Sequence, residues 1–453
     1  MQEDDRKKSD RRQFLRRYVG GVLASAAVSA SGCVRRTASG AGACRSEIHQ
    51  GAQLDNQGPG PCGIDARDAE QFWRDIQQQF SLPADLAYFN AGGLGPSPKP
   101  VIDALLRETN DLERVCETGH ERVQAVREKL CTFLNCTPAE LAITRNSTEG
   151  MNLIARGLSL RPGDEVLITT HEHPGGALPW LALAKDTAIR VNLVEPGAGG
   201  DDTLTRIAAA LTPRTRVVAV SHILCTTGLR LPARQLAQLC RDRGLICVLD
   251  GAQAVGMVPI DLHELGCDFY VSSGHKWLLG PKGTGLLYLR AAARELWHPT
   301  HVGAYSDRQY DLDRGILEFR TEADVVEYGT RNTATVLALG AAVDFLNAIG
   351  MERVAQRGRA LSLYLRQRLQ AVPALEILTP ADDASSASMV TFAAKGGAID
   401  VRDWTQPLQN RYQIRVRPVG EHGLQALRVS THIYNTHAEL DRLVAALSEL
   451  AQT

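Results

Sequence analysis

Between Leu141 and Leu289 the chain repeats one pattern: a short apolar run, a turn, then apolar residues at helical spacing. LAITRN leads into a helix around Glu149. EVLITT (165–170) leads into one near Leu178. AIRVNLVE is followed by DDTLTRIAAAL, where Asp202 is the expected N-cap. TRVVAVSH comes next, then a helix after Pro232, ARQLAQLCRDRG, that ends on Gly244, then LICVLD. Strands alternating with helices predict an α/β fold with a mainly parallel sheet covered on both faces. DFYVSS and the apolar run after GPKGTG (280–285) add a hairpin to that sheet.

After Asn332 the style changes. Long helical patterns break at Gly350, and LEILTP, SMVTFAAK, QIRVRPV and ALRVSTHIY follow with short helices between them. This predicts a smaller α+β domain over 335–453, after an N-terminal segment and large domain over 68–334. The final helix opens at Thr436 with Glu439 three residues on, a capping box.

The first 33 residues form a separate object. Asp-Arg-Arg-Gln-Phe-Leu-Arg (10–16) precedes a short apolar, small-residue stretch from Tyr18 to Ala30. A charged start, a short apolar middle and small residues before a cut describe an export signal. The paired arginines point to the twin-arginine machinery, hence to a periplasmic destination for a protein exported folded with its cofactor. Cys33 is a weak lipidation site. Residues 34–67 read as a flexible linker rich in Gly, Ala, Ser and Gln. Lys+Arg (50) balances Asp+Glu (51), which gives no electrostatic footprint for nucleic acid. The ten cysteines show no CxxC spacing, so a zinc ribbon or thioredoxin motif is excluded.

In open α/β sheets ligands bind beyond the carboxyl ends of the strands. After LAITRN, the sequence Asn146-Ser147-Thr148-Glu149-Gly150 opens a helix. It is either an ordinary cap or an anion cup of free N–H groups and hydroxyls. After EVLITT come His171 and His173. They read as a metal-binding pair in a hydrolase, as structural histidines, or, for His173, as a flat ring over an aromatic cofactor. After LICVL come Asp250 and, one turn on, Gln253. Asp250 is a helix cap or the partner of a protonated ring nitrogen, since a buried carboxylate needs a cation or donors. The turn Ser273-Gly274-His275-Lys276-Trp277 places a lysine at the edge of the core. Together these residues describe a pyridoxal phosphate site. Lys276 bonds to the aldehyde, and Asp250 keeps the ring an electron sink. Ser147, Thr148, Ser273 and His275 take the phosphate. Asn90, His222 and His301 are candidates for the substrate side.

These residues occur within an ordered set of motifs: NSTEGMNL, EHPGGALPW, LDGAQ, SGHKW, EYGTRNT and LRVSTHIYNT. Over roughly Leu82 to Leu447 the chain resembles class V aminotransferase-like proteins of the fold-type I pyridoxal phosphate superfamily. The resemblance implies a large domain with a seven-stranded-type sheet. It implies His173 as the ring-stacking histidine, and Asp250 and Gln253 as partners of the ring nitrogen and phenolic oxygen. It implies Thr330 as a hydroxyl donated to the partner subunit's phosphate, hence a homodimer with shared sites. Arg428 becomes the clamp on the substrate α-carboxylate. Two departures are informative. No cysteine follows Cys267, so the loop nucleophile of cysteine desulfurases is missing, and the family's asparagine near the phenolic oxygen is replaced around Cys225. The GTRN form is similar to the isopenicillin N epimerase-like branch. The expected activity is therefore at the amino group or Cα of an amino acid or a peptide-metabolite moiety, such as a secreted siderophore. The alternatives are a C–S or β-elimination lyase, a non-catalytic ligand binder on this fold, and the His171/His173 hydrolase.

Overall fold

The computed structural model describes residues 66–452. The export signal, Cys33, Cys44, Cys62 and the linker up to residue 65 lie outside the described residues. The last two residues assigned to that linker already begin a helix, Ala66–Gln77.

The α/β repeat forms one sheet of seven strands. These are β1 (Leu141–Thr144), β2 (Glu165–Thr169), β3 (Arg190–Val194), β4 (Thr215–Ser221), β5 (Ile246–Asp250), β6 (Phe269–Ser273) and β7 (Gly285–Leu289). Their spatial order is β1-β7-β6-β5-β4-β2-β3. Only β7 runs against its neighbours, as the hairpin return across GPKGTG requires. Successive side chains of a strand point to opposite faces, and the core divides accordingly. Leu167, Val218, Leu249 and Tyr270 pack on one side. Val166, Val217, Val248 and Phe269 pack on the other. Both faces are buried along β4, β5 and β6, which explains their near-continuous apolar runs. At the edge, β3 is mostly exposed and carries Arg190 and Asn192, a composition that discourages further pairing.

Helix boundaries shift from the sequence reading where side chains supply unexpected caps. The helix after β3 spans Gly200–Ala210 with Gly199 at its N-cap. Asp202 lies in its first turn and accepts from the Ala198 N–H at 3.0 Å, so it does not cap the helix as expected. The helix after β2 starts at Pro174, four residues before Leu178. Proline suits the first helical position, and the His173 ring caps it.

The C-terminal part contains a four-stranded antiparallel sheet of β8 (Leu375–Ile377), β9 (Met389–Ala394), β10 (Arg417–Val419) and β11 (Ala426–Ser430), ordered β8-β9-β11-β10. Two helices precede it, Thr333–Ile349 and Met351–Leu369, bent by 78° at Gly350. No single helix among the described residues is long and apolar enough to cross a membrane. Thr436 and Glu439 form the reciprocal capping box of the last helix. A short stretch before the large sheet also reaches this region. Ala87–Tyr88 pairs in parallel with Ile414–Arg415, and Asn90 bridges to Ser430. The chain then runs through Gly92–Gly95 to the lysine turn, where the Gly95 N–H donates to the His275 carbonyl at 2.8 Å. Any Cβ on Gly95 would collide with the Lys276 carbonyl, so glycine permits that approach.

Candidate active site

The carboxyl ends of β1, β2, β5 and β6 meet at one edge of the sheet, as the parallel register requires. Ser221 of β4 pairs with Asp250 of β5, and Asp250 with Val271 of β6. A cavity of about 260 Å³ opens there. Ser147, Thr148, His173, Gln253, Ser273, His275, Lys276 and Arg428 line it, together with Cys225 and Arg417. Eight residues singled out from sequence thus converge on one space.

At the phosphate-side end, Asn146 caps the helix Ser147–Gly157 and accepts from the Glu149 N–H at 2.8 Å. The Ser147 N–H donates to Ser273 Oγ at 3.1 Å, and the Ser273 hydroxyl to Ser147 Oγ at 3.1 Å. The two serines therefore hold each other at the helix N-terminus, where N–H groups and the helix dipole favour an anion. His275 adds a buried Nδ1 with no hydrogen-bond partner. At the other end, Arg428 is fully buried. It donates to the Cys225 carbonyl at 2.6 Å and to Asn90 Oδ1 at 3.2 Å. Asn90 acts on the site through this arginine, and its own side chain does not line the cavity. Gln253 is held at both ends: its amide donates to the Gly92 carbonyl at 2.9 Å and its oxygen accepts from Trp277 at 2.8 Å.

Electrostatics favour a reactive amine. Burial pulls Lys276 below the usual lysine range; Asp250 opposes this, and Arg428 and Arg417 reinforce it. Desolvation disfavours the charged form, so more of the amine is free at neutral pH. Burial pushes Asp250 up, against Lys276 and the Ala252 N–H, which it accepts at 2.8 Å. His173 is held down to about 4 by burial and then by Lys276. Its Nδ1 accepts from the Gly175 N–H at 3.0 Å, so the neutral ring carries its proton on Nε2. Arg428 is lowered to about 10, chiefly by burial and then by Arg417.

Four features escaped the sequence reading. Arg417 faces Arg428 across the β10–β11 pairing and forms an ion pair with Glu421; its strand alternation was visible, its partner strand was not. Cys225 lines the cavity with a thiol pushed up by burial. Glu172 is buried under Asp250 and raised to about 7 by burial. It accepts from Thr169 Oγ1 at 2.7 Å, from the Ser221 N–H at 3.1 Å and from Ser221 Oγ at 2.6 Å. It ties the end of β2 to the end of β4, and both carboxylates border Gly176. His432 accepts from the Ile433 N–H through Nδ1, so its Nε2–H donates to the Trp277 carbonyl at 2.9 Å. It stacks on Trp277 at 5.5 Å and pins the lysine turn to the C-terminal part.

Other candidates lie elsewhere. Thr330 is exposed and lines a second cavity with Arg145, Asn146 and Tyr328, outside the Lys276 cavity of its own chain. His301 belongs to a third, with Arg145 and Tyr328. His222 is a core group beneath the site, with Nδ1 3.0 Å from the Tyr270 hydroxyl; it does not reach the cavity as expected of a substrate contact. His171 lies 2.9 Å from Thr226 Oγ1 and 3.4 Å from Glu195. Among the described residues no group of three or more His, Cys, Asp or Glu side chains converges as metal ligands would.

His222 makes a pH prediction. Burial, then Arg230, holds it down to about 3, whereas an unfolded histidine titrates near 6.5. Between those values the unfolded chain binds the extra proton. Its contribution to stability is therefore present above pH ~6.5 and lost as pH falls. His222→Gln keeps a hydrogen-bonding group that cannot charge. Wild-type stability relative to this variant, from urea midpoints, is expected to shrink from pH 6.5 to 4. A constant difference would contradict the assignment.

A pyridoxal phosphate cofactor fits this arrangement on observations of the protein itself: an unpaired desolvated lysine, an orphaned His275 nitrogen, a serine-bearing helix N-terminus and a buried carboxylate at the opposite wall. Fold and site define a pyridoxal phosphate-dependent enzyme of fold type I. Residues 88–443 match the model of the aminotransferase class-V family, and the chain belongs to that family. It is 33% identical over 394 residues to isopenicillin N epimerase of Amycolatopsis lactamdurans, covering 84% of this chain and 99% of the relative. It is 31% identical to a cysteine desulfurase of Serratia proteamaculans, covering 81% and 93%. Among solved structures it is similar to the cysteine desulfurase CsdA of Escherichia coli (TM-score 0.74, 25% identity, 84% and 98% covered). It is also similar to the cystine C–S lyase C-DES in complex with cysteine persulfide (TM-score 0.74, 27% identity, 81% and 98% covered).

Proposed function

We propose that this enzyme acts at the Cα of an amino acid, or of the amino-acid end of a peptide metabolite, by moving the Cα proton. The observation that carries this reading is the placement of a desolvated lysine and a buried arginine in one cavity. When bound, the cofactor supplies an electron sink for the carbanion at Cα. Arg428, already held by Cys225 and Asn90, presents its remaining N–H groups to the α-carboxylate. Lys276 Nζ, neutral through burial, takes the proton from Cα and returns it. His173 gives a flat uncharged wall. Return of the proton to either face gives epimerisation, and its delivery elsewhere gives transamination.

Persulfide chemistry on a C-terminal cysteine is disfavoured, because no cysteine follows Cys267. Elimination with C–S cleavage is the second reading, supported by the likeness to C-DES. The decisive test is incubation with amino acids and small peptides in D₂O. Deuterium entering Cα without sulfide, ammonia or keto acid supports epimerisation, and keto acid supports transamination. Sulfide with pyruvate from cystine favours the lyase, and no exchange with any substrate would reject the proposal.

Two further parts belong to this reading. A homodimer is supported by Thr330, exposed and outside its own cavity. The hairpin Asp307–Asp311/Ile316–Phe319 also supports it, leaving Tyr310 and Leu317 more than half exposed. Export by the twin-arginine route to act on a secreted metabolite, such as a siderophore, is supported by Arg11-Arg12 and the apolar stretch after them. Replacing both arginines with lysine should retain the protein in the cytosol.

A further inference from the structure

We propose that Cys131 and Cys136 are a disulfide-forming pair that staples the C-terminal cap of the helix Val123–Leu134. The helix ends on Leu134, and Asn135 turns the chain with φ 49°. The Cys136 N–H then reaches back to the Cys131 carbonyl at 3.1 Å. This six-residue closure is a common way to finish a helix, and it sets the side chains of its first and last residues against each other, usually as an apolar contact. Here both are cysteines, and their thiols are within hydrogen-bonding contact. A backbone hydrogen bond between the same two residues brings their Cα atoms into the range of roughly 4.4–6.8 Å that a disulfide spans.

The pair differs from the other described cysteines in access. Cys136 is half-buried, whereas Cys240, Cys247 and Cys267 are all sealed in the core. Cys116 is exposed, with no thiol neighbour among the described residues. The Cys131 thiol is drawn down by the Cys136 contact and by Arg127, so the inner sulfur is the better resolving nucleophile. With glutathione disulfide as oxidant, the Cys136 sulfur attacks one sulfur of the reagent and one glutathione leaves. Cys131 then attacks the Cys136 sulfur and the second glutathione leaves. The protein loses two thiol protons and two electrons, and the reagent gains them. The staple would sit just before the Thr137/Glu140 capping box and β1, the strand that leads to Asn146 and Ser147.

The test uses the full-length protein, reduced and then equilibrated with glutathione disulfide, alkylated in denaturant and digested with trypsin. Cys131 and Cys136 share the peptide 130–145, which ends at Arg145. The expected result is this peptide without an alkyl group and lighter by two hydrogens than its reduced form. In Cys131→Ser a glutathione adduct should accumulate on Cys136, because nothing resolves it. Recovery of the peptide alkylated at both cysteines, or bridged to another peptide, would overturn the proposal. So would the absence of any adduct in Cys131→Ser.

Discussion

Lys276→Ala is expected to give a folded protein that binds pyridoxal phosphate without a covalent bond and has lost turnover by about 10⁴-fold, the upper range for removing a positioned acid–base group. Absorbance, and borohydride fixation followed by peptide mass, would read the bond. Deuterium exchange at Cα would read the proton transfer. The fold should survive, because the substitution removes a buried amine beside an existing cavity and leaves the turn intact. That turn is held by the Gly95 N–H on the His275 carbonyl and by His432 on the Trp277 carbonyl. A small added amine should recover part of the exchange. Full turnover in the variant would remove Lys276 from the chemistry.

The second large effect belongs to Arg428. Arg428→Lys keeps the charge but loses the fork. One ammonium cannot serve the Cys225 carbonyl, Asn90 Oδ1 and a substrate carboxylate with the guanidinium's geometry. Breaking a buried hydrogen-bonded charge pair costs about 2–5 kcal/mol. KM for an amino acid should therefore rise on the order of 10²- to 10³-fold. Substrates lacking the α-carboxylate should lose far less, which separates a binding role from general damage to the cavity. Equal losses for both would show that Arg428 only packs the core.

The parallel sheet was legible because its strands are buried on both faces, and buried strands write themselves as apolar runs. The site was legible for a related reason. Ser147, His173, Asp250 and Lys276 each follow directly after such a run, and parallel register brings those ends together. What stayed hidden depends on partners distant in sequence. Arg417 lies on an ordinary alternating strand, and only its pairing with β11 brings it beside Arg428. Glu172 looked like one more polar residue between two histidines until Ser221 of β4 closed over it. His222 misled because a histidine at a strand end looks the same whether it faces a ligand or Tyr270. Asp202 misled because a carboxylate inside a first turn can reach back as well as cap.

The stretch from Asn90 to Gly95 has a mechanical consequence. At one end Asn90 holds the arginine offered to the carboxylate; at the other, Gly95 holds the turn that carries the amine. Six consecutive residues thus act as a caliper between the two groups an α-amino acid presents. Any play between the large sheet and the C-terminal strands must pass through this short covalent gauge before it changes the span. Its setting is a property of chain length, insulated from how the surrounding layers breathe.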